Sequence, residues 1–112
     1  MTTPFINSFN ILQQDVYNTA AKNGFCDGPV NDERALLLII GEVAEATEAL
    51  RRPEMEQDHH IPEFTELEAE LADVVLRCMN YAHAKNLKLA EAIEAKAAYN
   101  KTRPFKHGGK KF

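Results

Sequence analysis

Two short stretches of the chain hold acids at a spacing suited to carboxylate chemistry. Residues 41–48 read GEVAEATE and residues 70–73 read ELAD, which gives Glu42/Glu45 and Glu70/Asp73, each pair three residues apart. Residues three apart on a helix share a face. Both pairs interrupt apolar sequence, with RALLLII before the first and VVL after the second. Glu45 lies seven residues before Arg52, where its helix is expected to end, and Glu70 seven after Glu63, where the next is expected to begin. Seven residues rise about 10 Å, so antiparallel packing brings the pairs to one height. Helix axes ~8–10 Å apart then let the carboxylates meet across the groove.

Carboxylates ~4 Å apart repel by about 1–4 kcal/mol, depending on the effective dielectric. Protons or a divalent cation must neutralise such a cluster. Four oxygen-donor side chains suit Mg²⁺, or Mn²⁺, better than zinc or copper. Taken singly, each pair also fits a solvated helix face; the apolar flanks and matched heights favour a joint site. A di-iron carboxylate bundle needs Glu-x-x-His on two helices, and the residues three after Glu42 and Glu70 are Glu45 and Asp73. Glu48 lies a turn nearer the linker with no motif acid opposite, so it stays outside the metal set. Glu45 is the candidate general base, deprotonating an attacking water.

A second stretch, KAAYNKTRPFKHGGKKF from Lys96 to Phe112, carries cations. Lys96, Asn100 and Arg103 fall at i, i+4 and i+7, one face of a continuing helix. Arg103 offers a planar fork to phosphate oxygens and Lys96 a compact charge. Lys106, His107 and the Gly108-Gly109 pair are weaker anion contacts; the glycines allow backbone amides to approach closely. A frayed, solvated basic tail is the plain alternative. An acidic metal cluster with a separate cationic arm matches a metal-bound polyphosphate, whose remaining charge the cations take.

Four helices must position these residues. The first is expected from about Ile6 to Lys22, with Phe5, Phe9, Leu12 and Val16 at helical spacing and Asn23-Gly24 as its stop. The second runs from an Asn31 or Asp32 cap to about Arg52, before Pro53. The third runs from about Glu63 to Lys85, with Asn86 as its stop, and the fourth from about Leu89 to Tyr99. The tail from about 101 to 112 reads as basic and irregular. No strand, repeat or domain boundary is visible, so the expectation is one all-α domain over 1–112.

The chain has 112 residues, 45% hydrophobic and 27% charged, which suits one folded domain. Its net charge of −4 argues against a nucleic-acid duplex as partner. Cys26 and Cys78 lack zinc-ligand spacing, and Cys78 reads as a buried core thiol. No run approaches the ~20 apolar residues that span a bilayer, and the first residues lack a leader's pattern; a cytoplasmic protein is expected. The second helix from Leu36 to Leu50 and the third from Leu67 to Ala84 are apolar over most of their circumference. Such helices are buried on more than one side, which favours a homo-oligomer over a monomeric bundle.

Glu42-x-x-Glu45 and Glu70-x-x-Asp73, with 24 residues between them, resemble the signature of MazG-type all-α nucleoside triphosphate pyrophosphohydrolases. The Lys-x-x-x-Asn-x-x-Arg-Pro ending at Lys96, Asn100 and Arg103 resembles that of MazG-like members. The resemblance runs over roughly residues 5–112. It implies a four-helix fold whose central antiparallel pair carries the acids, in a homodimer or homotetramer. It implies Mg²⁺-dependent hydrolysis of a (d)NTP between the α- and β-phosphates to (d)NMP and pyrophosphate, in nucleotide-pool housecleaning. Glu42, Glu45, Glu70 and Asp73 carry over as metal ligands, and Lys96, Asn100 and Arg103 as phosphate or sugar contacts. A non-catalytic nucleotide-sensing or dimerisation module is the alternative. Relatives that stack a base on tryptophan depart from this chain, which has none; Phe25, Tyr81 and Phe105 are the aromatic substitutes. Arg77 and Asn80 share the stripe of Glu70 and Asp73, and Arg77 either pairs with an acid or reaches substrate.

Overall fold

A computed structural model describes residues 2–104 of the chain. Four helices follow in order: α1 Pro4–Lys22, α2 Asp32–Arg51, α3 Glu66–Ala84 and α4 Leu89–Lys101. The chain is all-α, with one isolated backbone bridge, Gln57 to Thr65, among the described residues. None of these helices is long and apolar enough to cross a membrane.

Local chemistry explains the helix limits. Thr3 caps α1, its hydroxyl accepting from Ile6 N at 3.1 Å, and Pro4 follows in the first turn, where a missing N–H costs nothing. Asn31, rather than Asp32, caps α2 and accepts from Arg34 N at 3.0 Å. Asp32 opens the helix, where its charge suits the positive dipole end. Asn86 ends the α3 region with a left-handed φ of 56°, a conformation that asparagine tolerates better than most residues.

The expected start of α3 at Glu63 is corrected to Glu66. Thr65 and Glu68 form a reciprocal capping box: the Thr65 hydroxyl accepts from Glu68 N at 3.2 Å, and Thr65 N donates to Glu68 Oε1 at 2.9 Å. The chain before it folds as a tight loop around Asp58, whose Oδ2 accepts from His60 N at 2.9 Å and Ile61 N at 3.0 Å.

The antiparallel α2/α3 pair is the main packing unit; α1 lies on α3, and α4 rests on α1. Thr3 Oγ1 donates to Glu94 Oε2 at 2.5 Å and ties the start of α1 to α4. Small residues fill the contacts: Ala46 and Ala49 of α2 and Ala69 and Ala82 of α3 are buried, with Met79, Ala90 and Ile6. The α1 face differs from the expected one. Phe5 and Leu12 are exposed, while Ile6 and Gln13 turn inward, and Gln13 is only 7% exposed with its Oε1 unpaired. Cys78 is half-buried rather than a core thiol, beside an apolar groove that includes Leu36, Ile39 and Leu89; burial still pushes its thiol pKa up.

Candidate metal centre

The acids converge across the α2/α3 groove. One carboxylate oxygen from each of Glu42, Glu45 and Glu70 lies within 4.8 Å of the others. Glu42 and Glu70 are half-buried and Glu45 is exposed, so the cluster opens to water on the Glu45 side.

Two observations show that the residues fit a hard cation. Glu42 Oε2 and Glu70 Oε2 are buried and have no hydrogen-bond partner. A buried acceptor left unpaired is costly, and a cation resolves that cost for both at once. The donor set is all oxygen, which suits Mg²⁺, Mn²⁺ or Ca²⁺. Burial first, and then the Glu42 and Glu45 carboxylates beside it, push the Glu70 carboxyl up to about 7. The group takes a proton where a cation is the other means of neutralisation.

Asp73 stands apart from this trio. It lies one turn past Glu70 on α3, exposed, and contributes no oxygen to the 4.8 Å group. Its carboxyl is nonetheless pushed up, by burial first and then by Glu42, with Asp58 and Glu45 adding and Arg77 opposing. Asp58, on the loop before α3, thus belongs to the same acidic field. The DHHI turn that carries it was the available signal: an aspartate followed at two and three residues by free backbone N–H groups.

Arg77 pairs with an acid: its Nε donates to Glu42 Oε1 at 2.7 Å, with the Arg77 side chain 43% exposed and that of Glu42 12%. Asn80, three residues on, has a buried Oδ1 without a partner. Opposite charges close the pair on both sides of the cluster. Toward the loop, Arg52 pairs with Glu66, and with Glu56 at 3.5 Å. Toward the other end, Tyr81 Oη donates to Asp32 Oδ1 at 2.8 Å and Lys85 Nζ lies 3.2 Å from the same oxygen. Both contacts hold the Asp32 carboxyl below the usual range. Glu48 faces outward to Arg51 at 3.2 Å.

The cations of α4 gather elsewhere. Lys96 Nζ and Arg103 Cζ flank the Tyr99 ring at 5.5 and 5.9 Å from its centroid, and Asn100 is exposed beside them. This face belongs to a helix that packs on α1. Lys106, His107 and Phe105 lie outside the described residues. Of the other aromatic residues, Phe25 is 82% exposed, and the Tyr81 hydroxyl is taken by Asp32.

The model of the MazG nucleotide pyrophosphohydrolase domain matches residues 31–104. The chain belongs to the MazG family. The match spans α2 to the end of α4, so it takes in both acid pairs and the Lys96–Arg103 face and leaves α1 outside. Neither curated proteins nor solved structures gave a match. MazG domains are generally dependent on a divalent metal. The Glu42, Glu45 and Glu70 oxygens of this MazG chain form an acidic group across α2 and α3.

Proposed function

We propose that this MazG protein hydrolyses a (d)NTP at the α–β bond to (d)NMP and pyrophosphate with Mg²⁺, Mn²⁺ being able to replace it. The observation that carries the reading is the convergence of three carboxylates with two buried, unpartnered oxygens in a chain of a nucleotide pyrophosphohydrolase family. Glu42, Glu45 and Glu70 hold the metal, and Asp73, one turn further along α3 and outside the trio, is the fourth candidate ligand, which must swing toward them to join. When bound, the metal supplies positive charge that offsets the triphosphate and polarises the phosphoryl centre.

The remaining work falls to the chain's own residues. Glu45 is the exposed acid of the trio, and it accepts the proton of the attacking water at a carboxylate oxygen. Glu42 Oε1 is already taken by the Arg77 guanidinium, which leaves Glu45 the better placed to accept a proton. Lys96, Asn100 and Arg103, with Lys106 and His107, take phosphate and sugar oxygens and stabilise charge on the departing pyrophosphate. Housecleaning of the nucleotide pool is the corresponding role.

A homodimer or homotetramer is part of this proposal. The chain exposes 8836 Å², well above the ~6,200 Å² expected of a compact protein of its mass. Its radius of gyration is 16.6 Å, against about 13 Å for a compact domain of this length. On α1 and α2, Ile11, Leu37 and Ile40 are 73%, 64% and 60% exposed. An apolar surface of this kind marks an interaction face. Association also offers a route for a neighbouring copy's cationic α4 to approach the acids.

A panel of eight NTPs and dNTPs with Mg²⁺, resolving pyrophosphate from orthophosphate, tests the reaction. Pyrophosphate release supports it. Orthophosphate alone overturns the α–β assignment, and release of neither favours a non-catalytic nucleotide-binding module.

A further inference from the structure

Among the described residues, the ion pairs place one cation on the acid cluster, Arg77. Asp73 lies four residues before it on α3, one helical turn away on the same side. The contact with Glu42 is one-sided. Arg77 Nε takes Oε1 at 2.7 Å, while Oε2 stays buried and unpartnered. One oxygen is thus occupied by the protein's own cation and the other remains free for a ligand.

We infer that Arg77 is a built-in counter-charge of the metal centre: it stabilises the metal-free acid cluster and, by the same charge, weakens its hold on the divalent cation. This rests on the reading of Glu42, Glu45 and Glu70 as metal ligands. Arg77 competes by charge rather than by position, because Glu42 Oε2 is open while Oε1 is engaged. Without Arg77 the metal-free cluster loses its nearest positive charge, and the folded state must carry the mutual repulsion of its acids. The same loss deepens the negative potential that a divalent ion enters. A unit charge roughly 6 Å from a divalent ion, in a dielectric near that of water, changes affinity on the order of ten-fold. The advantage of the arrangement is reversibility: the site stays folded when empty and does not trap its metal.

The test uses the full chain without nucleotide, with Mg²⁺ alone as the probe. Thermal midpoints are read in EDTA and across a Mg²⁺ titration, and the dissociation constant is read by calorimetry, for wild type, Arg77→Met, Arg77→Gln and Arg77→Lys. The expected result for Met and Gln is a lower midpoint in EDTA, a wider gap between EDTA and saturating Mg²⁺, and about ten-fold tighter Mg²⁺ binding. Arg77→Lys keeps the charge and stays near wild type in both gap and affinity. Gln keeps a neutral N–H donor near the Nε position that contacts Glu42, so it serves if Met does not fold. Equal lowering of both midpoints with unchanged affinity would mean Arg77 is only a structural pair, and weaker binding in the neutral variants would mean it presents Glu42 to the metal; either overturns the inference. A wild-type midpoint that ignores Mg²⁺ and Mn²⁺ overturns the metal-centre reading itself and takes this inference with it.

Discussion

The α2/α3 pair has three charged layers, and the middle one differs from the two outside it. At the loop end Arg52 meets Glu66, and at the far end Tyr81 and Lys85 meet Asp32. Each outer layer pairs donor with acceptor across the antiparallel helices. The middle layer sets Glu42, Glu45 and Glu70 against one another, with Arg77 as partial relief. The same two helices thus satisfy themselves at their ends and stay unsatisfied between. A self-satisfied layer contributes to stability alone; an unsatisfied one needs a ligand, and that is where chemistry is expected.

Substitution of the exposed middle acid gives the largest expected contrast. Glu45→Gln should lower kcat on the order of 10²–10⁴-fold, the usual worth of a positioned general base. Nucleotide binding, followed by calorimetry, should survive. Wild-type turnover in this variant would remove Glu45 from the base role and leave the layer as a ligand shell.

The middle layer should also make stability depend on pH in a direction the outer layers do not. Glu70 stands at about 7 in the folded protein, above the ~4.3 of an unperturbed glutamate. The folded state therefore holds this proton more tightly than the unfolded chain. Its stabilising contribution is complete below about pH 4.3 and is lost as pH rises to about 7. In EDTA the thermal midpoint should fall over that window; with Mg²⁺ the cation-induced rise should grow, because protons no longer compete. Glu70→Gln should flatten the Glu70 part of the slope and abolish most of the Mg²⁺-induced rise. A Gln variant with the full wild-type slope would move the titration to another group.

How the site was legible follows from its residues. The spacing of Glu42, Glu45 and Glu70 on two apolar helices was enough to bring them together on paper. The acids still meet although the helix ends differ from the expected Arg52 and Glu63: α2 ends at Arg51 and α3 begins at Glu66. Arg52–Glu66, Arg77–Glu42 and Tyr81–Asp32 match acceptors to donors in this register, while the buried Ala46, Ala49, Ala69, Met79 and Ala82 pack it. Asp73 shares the spacing rule but not the trio's distances, because a side chain one turn along also depends on its rotamer and exposure. Gln13 was hidden by a different cause: an amide buried on α1 breaks the apolar pattern that periodicity reads. The loop around Asp58 is not evident from the sequence, since Asx-type turns depend on backbone N–H positions that residue types suggest only weakly. The Thr65-x-x-Glu68 spacing marks the start of α3, and the expected start at Glu63 passes over it.

That box separates structure from chemistry at moderate cost. Thr65→Ala should destabilise the protein by about 0.5–2 kcal/mol, the usual loss of an N-cap side chain. Chemical denaturation reads it, and kcat at a temperature well below the midpoint should not change. A fall in kcat would mean that the loop end of α3 positions Glu70 directly.

The smallest effect is expected at the loop-end pair. Arg52→Met removes the partner of Glu66 and Glu56, but the Arg52 side chain is 44% exposed, so water screens most of the attraction. The midpoint should fall less than for Thr65→Ala, and the difference from wild type should shrink in high salt as exposed charges are screened. The Mg²⁺-induced rise should stay at its wild-type size, in contrast to Arg77→Met, which swaps the same residue types on the same helix pair. If Arg52→Met also widened the gap between metal-free and metal-bound midpoints, the helix pair would act as one electrostatic unit rather than as separate layers.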